Sequence, residues 1–168
     1  MGGAIVTVLA AEHPELPGAV VLIDPAYIYR PPDWEKRKQE FRQWVEGDRG
    51  KSVDQMIRDL KAEQKSHWPE CDYKPWAESK LQYSPKIAET YDALPQLVDY
   101  FPSITAPTLI LKADAEEPER QRNFEAAARL PNGKLVHIDG AGHSVHRDKP
   151  KESLRVIREF LAGLPAAQ

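Results

Sequence analysis

Residues 2–12, GGAIVTVLAAE, are small and apolar with almost no polar face, which predicts a helix buried on most sides. His13-Pro14 ends it and Pro17-Gly18 turns the chain. The run 19–23, AVVLI, is continuously apolar and closes on Asp24-Pro25, the pattern of a strand inside a parallel sheet covered on both faces. PTLIL at 107–111 and KLVHI at 134–138 predict two further strands. Between them Pro118 opens a helix over 119–130 that turns Phe124, Ala127, Ala128 and Leu130 inward. A turn at Pro131-Asn132-Gly133 and a loop at 140–143 follow. Pro150 then starts a last helix with Leu154, Ile157 and Leu161 on one face and Gly163 as its C-terminal cap.

The middle of the chain has a different texture. More than half of the charged side chains and all four Trp fall within 31–100. Phe41, Trp44 and Val45 share a helical face. Ser52 and Gln55 form a capping box ahead of Val53, Met56, Ile57 and Leu60. Trp68-Pro69 and Lys74-Pro75-Trp76 are expected to break the chain into short pieces. Ile87, Tyr91 and Leu94 give another stripe, continued after Pro95 by Leu97, Val98 and Phe101. The expected organisation is a partial α/β core from 1–30 and 102–168, interrupted by a helical, solvent-facing insertion over 31–101. Strands alternating with helices imply parallel pairing through right-handed crossovers, here with three strands.

Composition narrows the function. The 168 residues carry 23 Lys+Arg against 26 Asp+Glu, a net charge of −3, which argues against a general nucleic-acid binder. One Cys, Cys71, excludes an internal disulfide and reads as a packing residue. No apolar run reaches the ~20 residues of a membrane helix. The N-terminus lacks the basic start of a signal peptide, so a cytoplasmic location is expected.

Ligands of parallel α/β sheets gather beyond the carboxyl ends of the strands. Asp24, Asp114 and His143 lie there by position. An Asp and a His at neighbouring strand ends can form the orienting half of a nucleophilic relay, the carboxylate fixing the imidazole tautomer while the other ring nitrogen acts as base. His137, His143, His146 and Asp148 lack the spacing of a metal site, and Gly2-Gly3 and 140–142 lack the context of a phosphate cradle. Neither metal nor cofactor is expected. Trp34, Trp44, Trp68 and Trp76 read first as the core of the insertion and second as the lining of a pocket.

The stretch APTLILKAD, then a helix, then LPNGKLVHIDGAGHSVHRDKPKESLRVIREFL, resembles the C-terminal portion of an α/β-hydrolase-fold protein. The likeness is strongest over 106–162, and VVLIDPA at 20–26 resembles the strand before that family's cap insertion. The resemblance implies an α/β sheet remnant with 31–101 as the cap or lid, His143 as catalytic base, and Asp114 as its acid, with Asp24 the alternative. The family's nucleophile stands on a G-x-S-x-G elbow, and none occurs in this sequence. Met1-Gly2-Gly3 resembles the tail of that elbow, which puts Met1 at the oxyanion-hole position. The expectation is an esterase-like serine hydrolase acting on a small ester, amide or lactone in its full-length form. This chain would be a C-terminal fragment, itself inactive and prone to self-association through an uncovered sheet edge. The alternative is a non-enzymatic pseudo-hydrolase or partner-binding module.

Overall fold

The computed structural model describes residues 1–26, 28–63, 68–91 and 95–165. In chain order the elements are α1 (Gly2–Glu12), β1 (Val20–Ile23), α2 (Trp34–Gly47), α3 (Val53–Glu63), α4 (Glu70–Leu81), β2 (Thr108–Lys112), α5 (Glu119–Ala127), β3 (Gly133–His137), α6 (Val145–Asp148) and α7 (Pro150–Ala162). A 3₁₀ segment of seven residues lies at Pro85–Tyr91, and single 3₁₀ turns lie at Leu97–Asp99 and Phe101–Ser103. The chain divides into two compact units, one of residues 1–29 and 95–168, the other of residues 30–94.

The first unit is built on a three-stranded, wholly parallel sheet in the order β1-β2-β3. Thr108 pairs with Val20 on one side and Gly133 on the other. The middle strand is the most apolar, and Leu109, Ile110 and Leu111 are fully buried. One face meets Ile138, Ala141, Val145 and Val156, with Ile157 and Phe160 packed against them. Gly133 is required where β3 begins, because a methyl group there would lie 2.5 Å from Leu130 Cβ. Segment 95–101, grouped with the insertion by its sequence, packs in this unit. Leu97, Val98 and Phe101 are buried, and the Val98 N–H donates to the Ile28 carbonyl at 3.1 Å.

Three helical faces differ from expectation. In α1 it is Ala4, Thr7 and Ala10 that turn inward, while Ile5, Val6 and Leu9 are 63%, 40% and 45% exposed. Small side chains let the helix lie close to its support, and the large ones are left on the outer side. In α5 the inward stripe is Asn123, Ala126 and Ala127, continued by Leu130. Phe124 sits beside this stripe, its ring edge-on to His137. In α7 Ser153 and Val156 face the core, and Leu154 and Leu161 face out. The expectation holds in part, since Ala127 and Leu130 of the α5 stripe are buried and Ile157 of the α7 face packs against the core, whereas Phe124, Leu154 and Leu161 stay exposed.

The second unit is helical. The Ser52–Gln55 capping box forms in both directions, with Ser52 N–H donating to Gln55 Oε1 at 2.8 Å and Gln55 N–H to Ser52 Oγ at 3.2 Å. Lys51 bridges Asp48 at the end of α2 to Asp59 in α3. Helix α4 runs through Pro75 and does not break there, forgoing the one bond that a proline N–H cannot donate. Its buried Tyr73 and Ala77 anchor it, and Trp68 stacks on Tyr73 and meets Trp76 edge-on. Phe41 and Trp44 pack ring to ring at 5.6 Å. Leu94, the end of one expected stripe, lies outside the described residues.

Candidate active site

The three strands end on one rim, and the polar groups singled out from the sequence sit there. Asp24 follows β1 directly. It holds φ at 39°, a left-handed conformation that costs a non-glycine residue energy and marks constrained geometry. Its N–H donates to the Leu111 carbonyl at 2.6 Å, which fastens it to the end of β2. The carboxylate is nearly buried and fully engaged. Oδ1 accepts the Ala113 N–H at 3.2 Å and lies 2.6 Å from Lys112 Nζ. Oδ2 lies 2.6 Å from His143 Nδ1.

Burial alone would push the Asp24 carboxyl up. The His143 hydrogen bond, the charge and hydrogen bond of Lys112 and the Ala113 N–H outweigh that cost and hold it below its ordinary value. The carboxylate is therefore ionised at neutral pH and can only accept, so the bridging proton belongs to His143 Nδ1. In the neutral imidazole Nε2 is then the acceptor. The His143 side chain is 75% exposed.

His143 rides on the loop after β3. That loop crosses the tip of β2 and delivers the imidazole to the residue after β1. Gly140 takes φ at 67°, and a methyl group there would meet Lys149 Nζ at 3.3 Å. The Gly140 N–H donates to Asp114 Oδ2 at 2.8 Å, and the Asp114 N–H donates to the Ala141 carbonyl at 2.9 Å. The Gly142 N–H donates to Asp148 Oδ2 at 2.7 Å. Beyond the loop, Val145 is fully buried.

The carboxylate that meets His143 is thus Asp24. Asp114, favoured for this place by the sequence reading, is occupied elsewhere. Its Oδ2 takes the Gly140 N–H and its Oδ1 takes Arg120 at 3.1 Å. The Gly140 N–H is the largest influence holding the Asp114 carboxyl below its ordinary range, ahead of an opposing partial desolvation and of Arg120. Strand order supplies the reason: Asp114 sits beneath the crossing loop and binds its backbone, and only the farther strand end meets the ring.

Met1 caps α1, its carbonyl accepting the Ala4 N–H at 2.9 Å. A methyl group on Gly3 would lie 3.0 Å from Pro25 Cβ, so the bare backbone at the start of α1 lies against the residue that follows Asp24. His137 is held by Nδ1, 2.7 Å from the Ala113 carbonyl. Among the described residues no three His, Cys, Asp or Glu side chains gather as metal ligands. Also among them, no helix is long and apolar enough to cross a membrane.

Sequence reasoning missed Lys112 and Arg120. Lys112 carried a signal, a charge closing an otherwise apolar strand. Arg120, one of several charged residues at the start of α5, carried none.

The family model described as serine aminopeptidase, S33, matches residues 1–150. Over 64 residues the chain is 38% identical to the candidate protein-lysine deacylase ABHD14B of Homo sapiens, a match covering 38% of this chain and 30% of that protein. The protein of the same name from Rattus norvegicus matches at 34% over 61 residues, 36% of this chain and 29% of the relative. Among solved structures, E-2-(acetamidomethylene)succinate hydrolase superposes with a TM-score of 0.75 at 21% identity, covering 96% of this chain and 64% of that one. MenH from S. aureus gives 0.68 at 19%, covering 95% and 64%. An esterase from Thermogutta terrifontis gives 0.67 at 21%, covering 97% and 62%. The chain spans less than two thirds of these solved chains, and its curated matches cover about 30% of the relatives' length.

Proposed function

The chain belongs to the serine aminopeptidase S33 family, with the fold of the α/β hydrolases, and on that premise we propose that the protein carrying it hydrolyses an ester, amide or lactone bond through a Ser-His-Asp relay. The observation that supports this reading is the 2.6 Å contact between His143 Nδ1 and Asp24 Oδ2 at the carboxyl rim of a parallel sheet. His143 Nε2 serves as general base toward the attacking hydroxyl and returns the proton to the leaving group. Asp24 holds the tautomer and stabilises the imidazolium between the two steps. Asp24 replaces Asp114 in the role of acid.

In this reading the attacking serine comes from outside residues 1–168, since no G-x-S-x-G elbow lies within them. The start of α1 is the place where such an elbow would join. The Met1 backbone N–H would then face the developing oxyanion. Residues 30–94 correspond to the cap insertion expected over 31–101, a small molecule is the proposed substrate, and the cytoplasm is the proposed compartment. The deacylase name of the curated relative adds acyl-lysine amides to the substrates worth assaying.

The test extends the chain with its upstream coding sequence and measures turnover of nitrophenyl esters and acyl-lysine peptides. Asp24→Asn should lower kcat by about 10³–10⁴-fold, and His143→Ala by at least as much. Activity indifferent to both substitutions overturns the relay. Absence of turnover, with no labelling by a fluorophosphonate, would leave a ligand- or partner-binding module as the function.

A further inference from the structure

We propose that Asp114, together with Arg120, is a positioning residue for His143, clamping the 139–143 loop across the tip of β2 so that the imidazole arrives at Asp24. The inference rests on the reading of His143 and Asp24 as the reacting pair and adds to it the device that aligns them.

The His143 ring is largely exposed, so packing does not hold it in place. What fixes its position is the backbone that carries it. Asp114 grips that backbone at two consecutive residues, receiving the Gly140 N–H on its carboxylate and giving its own N–H to the Ala141 carbonyl. Two bonds to neighbouring peptides fix the direction of the loop as well as its distance. A single bond would leave it free to pivot.

Arg120 completes the clamp from the first turn of α5. One terminal nitrogen lies 3.1 Å from Asp114 Oδ1 and 2.8 Å from Asp139 Oδ1, and its Nε donates to the Ala115 carbonyl at 3.1 Å. The guanidinium therefore joins both ends of the crossing, the strand tip below and the first loop residue above. Its planar array of donors suits this better than an ammonium would. Asp148 secures the far side through the Gly142 N–H, so the peptides before His143 are held at 140, 141 and 142. The Gly140 hydrogen bond and Arg120 keep the Asp114 carboxylate ionised, and so an acceptor, at neutral pH. Residues 112 to 114 thereby serve both partners: Lys112 and Ala113 hold the acid, and Asp114 holds the loop of the base.

Proton NMR of the 168-residue chain tests the proposal without any need for turnover. An imidazole N–H bonded to a carboxylate gives a low-field resonance, and Asp24→Asn identifies it by abolishing it. Asp114→Ala should also abolish or broaden that resonance and shift the amides of 139–143, while the amides of all three strands keep their positions. Asp114→Asn retains an oxygen acceptor for Gly140 and should restore part of the signal. A resonance that depends on Asp24 yet is unchanged in Asp114→Ala overturns the clamp. A low-field signal absent from the parent chain, or indifferent to Asp24→Asn, overturns the pairing itself and the clamp with it. If Asp114→Ala loses its dispersed amide spectrum, Arg120→Ala decides, because it loosens the clamp without touching Gly140. Loss of the signal there supports the proposal, and an unaltered signal overturns it.

Discussion

His143 and Asp24, 119 residues apart in the chain, meet at 2.6 Å, with the tip of β2 between the loop of one and the strand of the other. Asp24 follows one outer strand of the three-stranded sheet and the loop of His143 follows the other, while residues 112–114 at the end of the middle strand supply hydrogen bonds that hold both. Several measurable properties depend on this arrangement.

Acid should destabilise the chain through Asp24. Its carboxyl is held below the ordinary value in the folded state, so the folded protein binds that proton less readily than the unfolded chain does. The stabilisation is complete above an unfolded carboxyl value of about 4 and is lost as pH falls through the lower folded value. Chemical denaturation followed by circular dichroism from about pH 7 down to pH 2 should show this acid limb. Asp24→Asn should flatten it. An acid limb identical in the variant would assign it to other carboxylates, Asp114 among them.

Lys112 should matter to stability more than a surface lysine does. Its ammonium lies 2.6 Å from Asp24, and both side chains are largely buried. Lys112→Met keeps the aliphatic stem and leaves the carboxylate short of one charged partner. The expected loss is roughly 1–3 kcal/mol in unfolding free energy. A change within about 0.5 kcal/mol, the range of ordinary surface substitutions, would show the pair to be dispensable.

Gly133→Ala should be poorly tolerated for a purely steric reason. The added methyl group meets Leu130 Cβ at 2.5 Å, Leu130 Cδ1 at 2.8 Å and the Ala127 carbonyl at 3.1 Å, and of these only Cδ1 can swing aside. A destabilisation of about 1–3 kcal/mol is expected, against near-neutrality for Gly18→Ala, where nothing lies within 4 Å. Thermal unfolding of the two variants side by side distinguishes them.

Self-association should follow the outer face of α1. Met1, Ile5, Val6 and Leu9 are exposed there, and β1 is an edge of the sheet with Ile23 also exposed. Sedimentation velocity should show concentration-dependent species for the parent chain. Ile5→Glu with Leu9→Lys should shift them toward the monomer. A parent chain that stays monomeric at high concentration removes the proposal.

Strand positions and loop chemistry were legible in the sequence because they depend on local signals. Apolar runs closed by Asp24-Pro25, Ala113-Asp114 and the Gly-Ala-Gly-His stretch marked the three strand ends, and Ser52 with Gln55 marked a helix start. The choice between Asp24 and Asp114 was not legible, because both follow apolar strands. The decision lies in strand order and in where the loop crosses, neither of which leaves a trace in residue type. The inward faces of α5 and α7 were legible only in part: Ala127, Leu130 and Ile157 pack inward as their apolar character suggests, whereas Phe124, Leu154 and Leu161 lie exposed and close approach to a support selects Ala126 and Ser153. Helix α4 continues through Pro75 because the buried Tyr73 and Ala77 tether it on either side, a tertiary effect that a proline-based reading leaves out.

Ile28 and Val98 stand a single hydrogen bond apart, yet the whole helical excursion of residues 30–94 departs and returns between them. Closing so long a detour carries an entropic cost that rises only with the logarithm of its length, about 0.6 kcal/mol for each doubling. On that arithmetic the unit that carries Asp24 and His143 should accept excursions of other lengths, provided the two ends still reach the same pair of peptides.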